Sequence, residues 1–323
     1  MEFEFSFFLN FKFMFLEQGI KPENKFWKYL LGSVFIIAAS FLGQMPLIGV
    51  VFYKAFSEGK AFPTTNDDVM KMFESNTTLF LVMISFVFAF AGIYFVVRFI
   101  HHQTLLSITT ARPKTDWKRI WFSFFLWTFI SLVSFSIVYL SSPEKFVLSF
   151  KLVPFLILVV LGSILIPIQT STEEYVFRGY LMQGFANLAR NRWFPLVMTS
   201  VIFGSMHWFN PEVVKMGNIV MIYYIGTGLF LGVITLMDEG MELALGFHAA
   251  NNLVGALLVT SDWTVFQTYS IFRDLSEPSA GIDVILPVVI IYPILLFIFS
   301  KKYSWTNWKE KLSGKIKNVE VKN

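Results

Sequence analysis

The run LVPFLILVVLGSILIPIQT at residues 152–170 constrains this chain more than any other feature. About 20 apolar residues in a helix cross a hydrocarbon core of about 30 Å, so a run of this kind belongs in a bilayer. Similar runs recur, separated by short charged stretches. The pattern places candidate spans at about 27–53, 79–100, 119–140, 152–170 (continuing as helix), 194–209, 218–237, 242–260 and 282–300. The expected fold is therefore all-α: a polytopic membrane protein of about eight transmembrane helices in one bundle. Composition agrees, with 55% hydrophobic and only 15% charged residues, where soluble domains carry about 25% charged.

No internal repeat or low-complexity tract divides the chain. Residues 1–26 are expected to form an interfacial segment, 27–300 the bundle, and 301–323 a basic cytoplasmic tail. The acidic start, with no small-residue cleavage site, argues against a secretory signal peptide. The chain has no cysteine, which removes thiol catalysis, disulfides and Cys-ligated metal. The net charge of +4 is no sign of nucleic-acid binding, because Lys and Arg flank the apolar runs. Most of them fall on the side that holds both ends and the loops near 98–119, 171–193 and 238–242. The positive-inside rule then places both termini in the cytoplasm, and the expected location is a bacterial inner membrane.

Few ionisable residues remain within or against the runs. They are Glu173, Glu174 and Arg178 in STEEYVFRGY, His207 in FGSMHWFN, and His248 in GFHAANNL, with Asn251 and Asn252 beside it. A charge at the centre of a membrane helix costs about 2.5–3.5 kcal/mol on insertion scales, so such residues face a cavity or a partner. Glu173 lies about 16 residues before the turn at 190–192 and His207 about 15 after it. Two antiparallel helices would bring the pair level, about 22–24 Å from the hairpin tip. His248 and Asn252 share one helix face, and Arg178 is one turn from Glu174.

A carboxylate beside an imidazole in a low-dielectric pocket suits general acid–base work on a water molecule. Imidazole and amide donors suit an oxyanion. The same donors also match an open catalytic zinc site, with Glu173, His207 and His248 as ligands, so these residues leave metal-bound and carboxylate-activated water both open. No serine elbow or paired intramembrane Asp offers a competing mechanism. Asp238 and Glu239, in a turn, are expected to be solvated. His101 and His102, at a span end, are expected at the surface. Pro167 is expected to kink its helix near the glutamates, and Gly226, Gly228 and Gly232 to allow close helix packing.

The ordered motifs EExxxR (Glu173, Glu174, Arg178), FxxxH (Phe203, His207) and HxxxN (His248, Asn252) resemble the CPBP family, the CAAX prenyl protease and bacteriocin-processing group also called Abi. The resemblance covers roughly residues 150–260. It implies an eight-helix membrane endopeptidase that cleaves a membrane-embedded or lipid-anchored peptide. Glu173 and His207 would activate water, His248 and Asn252 would hold the oxyanion, and Glu174 and Arg178 would support them. The metal-free form is favoured, with zinc as the alternative. The competing reading is a non-enzymatic membrane protein, an immunity or scaffold factor or a small-solute carrier, in which the polar cluster is structural.

Overall fold

The structure is a computed structural model, described for residues 14–316 except 60, 266 and 280. Eight principal helices appear in chain order: α1 (Phe26–Glu58), α2 (Ser75–Ile100), α3 (Trp117–Ser141), α4 (Leu152–Ala189), α5 (Trp193–Ser205), α6 (Val220–Asp238), α7 (Glu242–Leu258) and α8 (Val284–Lys302). Six of them are long and apolar enough to cross a membrane. The other two expected spans fall on α5, with 13 residues, and α7, with 17, so length and composition support six crossings and do not confirm the count of eight. Helix α7 is largely buried, whereas α5 keeps an exposed face at Trp193, Val197 and Val201.

Helix α1 packs on α2, α2 on α4, α4 on α7 and α7 on α3, while α6 packs on α5 and α8. Burial identifies the centre. Of the apolar window of α6, 67% is buried, against 11% for α3. The outer helices turn Phe41, Phe56, Phe129, Leu140, Val153 and Val160 outward. In water such faces would aggregate; in lipid they are the correct solvent. The largest core joins Trp127 of α3, Phe230 of α6, Phe247 of α7 and Tyr292 of α8 in a stack of rings. Gly246 lets α7 lie against the backbone of Ile120, and a Cβ at Gly228 would sit 2.9 Å from the Ser200 carbonyl oxygen. The expected close packing of Gly226, Gly228 and Gly232 is present. A small sheet closes one end, with β1 (Phe146–Leu148) antiparallel to β3 (Phe272–Asp274) and β2 (Val259–Thr260) parallel to β3.

The opposite end gathers the N-terminal segment, three loops and the C-terminal segment. Ala111 donates to the Glu239 carbonyl, Arg192 to Gly314, Ile316 to Arg190, and the Phe15 amide to Glu239 Oε2. Residues 1–13 of the expected interfacial segment lie outside the described residues, but Phe15 and Leu16 are buried against Met182, Ala186 and Leu196. Arg112 bridges Asp238 at 2.8 Å and Glu242 at 2.9 Å, and Arg119 pairs with Asp238 as well. This corrects the expectation that Asp238 and Glu239 are solvated. Asp238 is buried because two guanidinium groups from the 112–119 stretch replace its water.

His101 is also corrected: its ring is buried, while His102 is exposed. Nδ1 lies 3.1 Å from Asn24 Oδ1 and Nε2 lies 3.0 Å from the Tyr180 hydroxyl. Asn24 spends its amide on the Gly19 carbonyl and on Gln103, so its oxygen faces the ring and Nδ1 carries the hydrogen. Burial, reinforced by the nearby Lys28 cation, holds the His101 ring well below its ordinary value of 6.5, at about 4.

Two measurements test this end. Arg112→Ala leaves Glu242 and Asp238 short of a partner and is expected to cost about 3–5 kcal/mol of unfolding free energy in detergent; a loss below about 1 kcal/mol would contradict the network. For His101, the unfolded chain binds the proton between about pH 6.5 and 4 and the folded one does not. Stability from this group is complete above pH 6.5 and falls as pH drops toward 4, by about 3 kcal/mol in all. The stability–pH slope between pH 6.5 and 5 should flatten in His101→Gln, and an unchanged slope would contradict the buried neutral ring.

Candidate functional site

The site begins with two adjacent residues on one helix. Neighbouring positions on an α-helix point about 100° apart, so Glu173 and Glu174 cannot share a direction. Glu174 turns into the bundle and is fully buried, whereas the Glu173 side chain keeps 18% of its surface exposed. Helix α4 runs unbroken through Pro167, and its departure from α geometry comes after the glutamates, as a π segment over Tyr175–Leu181. Such segments occur mostly as local bulges inside α-helices, often at functional sites. Arg178 lies in this segment and is buried completely. It donates to Glu174 Oε1 at 3.2 Å and to the Gly228 carbonyl at 3.2 Å, and its guanidinium carbon stands 4.4 Å from the Phe203 ring centre.

His248 on α7 joins the two carboxylates. Its Nδ1 lies 2.8 Å from Glu174 Oε1, and its Nε2 lies 3.5 Å from Glu173 Oε2. A carboxylate only accepts, so Nδ1 is the donor to Glu174, and Nε2 is turned toward Glu173. The ring is thus fixed by one acid and presented to the other. A charged pair sealed from water costs desolvation energy unless its geometry is good. Here Glu174 takes both a guanidinium and an imidazole hydrogen bond.

The second oxygen of Glu173 is held as well. Gln169, one turn earlier on α4, donates from Nε2 to Glu173 Oε1 at 2.6 Å. Its Oε1 accepts from Asn252 Nδ2 at 3.0 Å. Asn251 Nδ2 donates to Asn252 Oδ1 at 3.0 Å, and Trp127 Nε1 of α3 donates to Asn251 Oδ1 at 3.1 Å. Asn252 therefore reaches Glu173 through one intervening side chain.

His207 stands apart from this array. It lies in the turn after α5, half-buried, with Nδ1 2.9 Å from the Phe203 carbonyl and its ring stacked 4.3 Å from Tyr224. Among the described residues no hydrogen bond or ion pair joins it to Glu173. It meets the rest through Phe203, whose ring lies 4.9 Å from His207 and 6.0 Å from His248. Five of the six expected site residues (Glu173, Glu174, Arg178, His248 and Asn252) form one connected unit, and His207 is a neighbour across an aromatic ring. Sequence reasoning overlooked Gln169, although the i, i+4 spacing to Glu173 is the same one that pairs Glu174 with Arg178. Trp127 on another helix gave no such signal.

A metal would need the three donors Glu173, His207 and His248 to converge with free lone pairs. Among the described residues no three His, Cys, Asp or Glu side chains are gathered in that way. Glu174 Oε1 and His248 Nδ1 are taken up by each other, and Glu173 Oε1 by Gln169. These bonds leave Glu173 Oε2 and the Nε2 atoms of His207 and His248, which are not gathered as a three-donor set among the described residues.

Comparison with known proteins bears on the same segment. Residues 149–254 match the family described as type II CAAX prenyl endopeptidase Rce1-like, and all three motifs fall within them. The uncharacterized protein YyaK of Bacillus subtilis (strain 168) is 27% identical over 248 residues, covering 76% of this chain and 82% of that protein. No solved structure matches the chain. The resemblance read from EExxxR, FxxxH and HxxxN holds over this segment.

A double-mutant cycle tests the sealed half of the site. Arg178→Met alone leaves the Glu174 carboxylate buried without its cation and should cost about 3–5 kcal/mol of stability. Adding Glu174→Gln should restore part of that loss, a coupling of at least about 1 kcal/mol. Strictly additive losses would show that the pair is not one unit.

Proposed function

We propose, from the match of residues 149–254 to the family described as type II CAAX prenyl endopeptidase Rce1-like, that this integral membrane protein hydrolyses a peptide bond in a membrane-embedded or lipid-anchored peptide. The observation that carries the reading is the single imidazole, His248, set between two carboxylates that follow the bilayer-length apolar run of α4. Such an array orients a base without consuming it. Glu173 Oε1 is occupied by Gln169, which leaves Oε2 for a water molecule.

In this reading Glu173 Oε2 takes a proton from the water as its oxygen adds to the scissile carbonyl carbon. His207 donates Nδ1–H to the Phe203 carbonyl, so its Nε2 lone pair is available to hold the same water from the other wall. The carbonyl oxygen, now an oxyanion, accepts from Asn252 Nδ2 and from His248 when Nε2 carries a proton. When the C–N bond breaks, the leaving amine takes the proton from Glu173, which returns as carboxylate. Glu174 and Arg178 touch no reacting atom; they hold the His248 ring. No step requires a metal, and the mechanism favoured is the glutamate type.

The end of the bundle that gathers the 112–119 arginines and both chain ends is assigned to the cytoplasmic side of a bacterial inner membrane. The lipid-exposed apolar faces of α1, α3 and α4 fit a peptide that arrives within the bilayer.

Purified protein in lipid nanodiscs, assayed with a fluorogenic farnesylated CAAX peptide, tests the proposal. Glu173→Gln is expected to lower kcat by about 10²–10⁴-fold with the protein still folded, and wild-type activity should persist in a chelator. Activity unchanged in Glu173→Gln would contradict the assignment and favour a structural role for the cluster. Loss in chelator with return on added zinc would replace the metal-free mechanism.

A further inference from the structure

The polar side chains around Glu173 form a chain with a direction. Trp127 Nε1 donates to Asn251 Oδ1, Asn251 Nδ2 to Asn252 Oδ1, Asn252 Nδ2 to Gln169 Oε1, and Gln169 Nε2 to Glu173 Oε1. Four consecutive bonds run the same way, from an indole that can only donate to a carboxylate that only accepts when ionised. These two ends fix the orientation of the three amides between them. An amide reversed anywhere in the chain would set donor against donor or acceptor against acceptor. Aligned hydrogen bonds in a low-dielectric interior also polarise one another, so the last bond of the series is strengthened by those behind it.

Gln169 is the only link in this chain between α7 and Glu173. Its side chain is buried, and it lies in an apolar run where an unpaired amide would be costly. With both its carbonyl and its amide engaged, it ties the Asn252 side chain to one oxygen of Glu173. The other charged or titratable groups near Glu173 are His248 of α7, Glu174 and Arg178 of α4, and His207 beyond Phe203; none of them bonds Oε1. We propose that Gln169 is a positioning residue for the reaction: it pins Glu173 Oε1 so that Oε2 alone faces the water, and it keeps Asn252 in register with Glu173. The inference rests on the peptidase reading for its catalytic consequence and on the hydrogen-bond geometry for its structural one.

A positioning role separates kcat from KM, because the group it orients acts in the transition state. In nanodiscs with the farnesylated reporter peptide, Gln169→Met, which keeps length and removes both hydrogen bonds, is expected to lower kcat about 10–100-fold with KM within about twofold. Gln169→Glu is a second variant should the first fold poorly. It keeps an acceptor for Asn252 but, when ionised, offers Glu173 no donor, so kcat should again fall by at least about 10-fold. The second readout needs no turnover. The infrared carboxylate band assigned to Glu173 by its loss in Glu173→Gln should shift in Gln169→Met. If the wild type cleaves the peptide while both Gln169 variants keep its kcat, the inference is overturned whatever the band does. If the wild type does not cleave, the peptidase reading fails separately and the band decides: a shift supports the Gln169 bond, and an unmoved band overturns it.

Discussion

A carboxylate oxygen shared between a guanidinium and an imidazole, all three sealed from water, is the interaction on which the site depends. Glu174 Oε1 receives Arg178 at 3.2 Å and His248 at 2.8 Å. Inside an apolar bundle neither charge could stand alone. Their pairing ties the π segment of α4 to α7, and through the Gly228 carbonyl to α6. The bare backbone at Gly228 makes that last contact possible, since any Cβ there would crowd Ser200 of α5. Packing at a glycine and burial of a charge are therefore one event.

From that anchor the division of labour between adjacent glutamates follows. One residue of helical rotation places Glu174 under the surface and Glu173 at its edge. The same imidazole touches both, so the buried acid sets the position of the exposed one's partner. At the far end of the bundle, charges are handled in the opposite way. Arg112, Arg119, Asp238 and Glu242 form a network that locks the loops and chain ends together. The first cluster leaves a carboxylate oxygen unengaged by any amide, which chemistry needs; the second engages its carboxylates for stability.

Much of this was legible in the residue order. Helices that follow apolar runs, the Glu174–Arg178 pair and the shared face of His248 and Asn252 all rest on spacing within one helix, which the sequence states outright. What escaped depends on contacts between helices distant in the chain. Asp238 looked solvated because its partners, Arg112 and Arg119, lie more than a hundred residues away. His101 looked superficial because Asn24 and Tyr180 come from other elements. The count of eight crossings is not confirmed for a different reason: hydropathy reports that α5 and α7 are apolar, not how long each helix runs. Gln169 was within reach of the same i, i+4 reasoning, but a neutral amide draws less notice than a charge.

The direct test of the shared-carboxylate unit is ¹⁵N NMR of histidine-labelled protein in bilayers, with the His248 signals assigned by their loss in His248→Gln. The expected result is a hydrogen on Nδ1, held to Glu174, which vanishes or weakens sharply in Glu174→Ala. An unprotonated Nδ1, or a His248 spectrum indifferent to Glu174, would show that the two side chains do not form the bond from which the rest of the site is built.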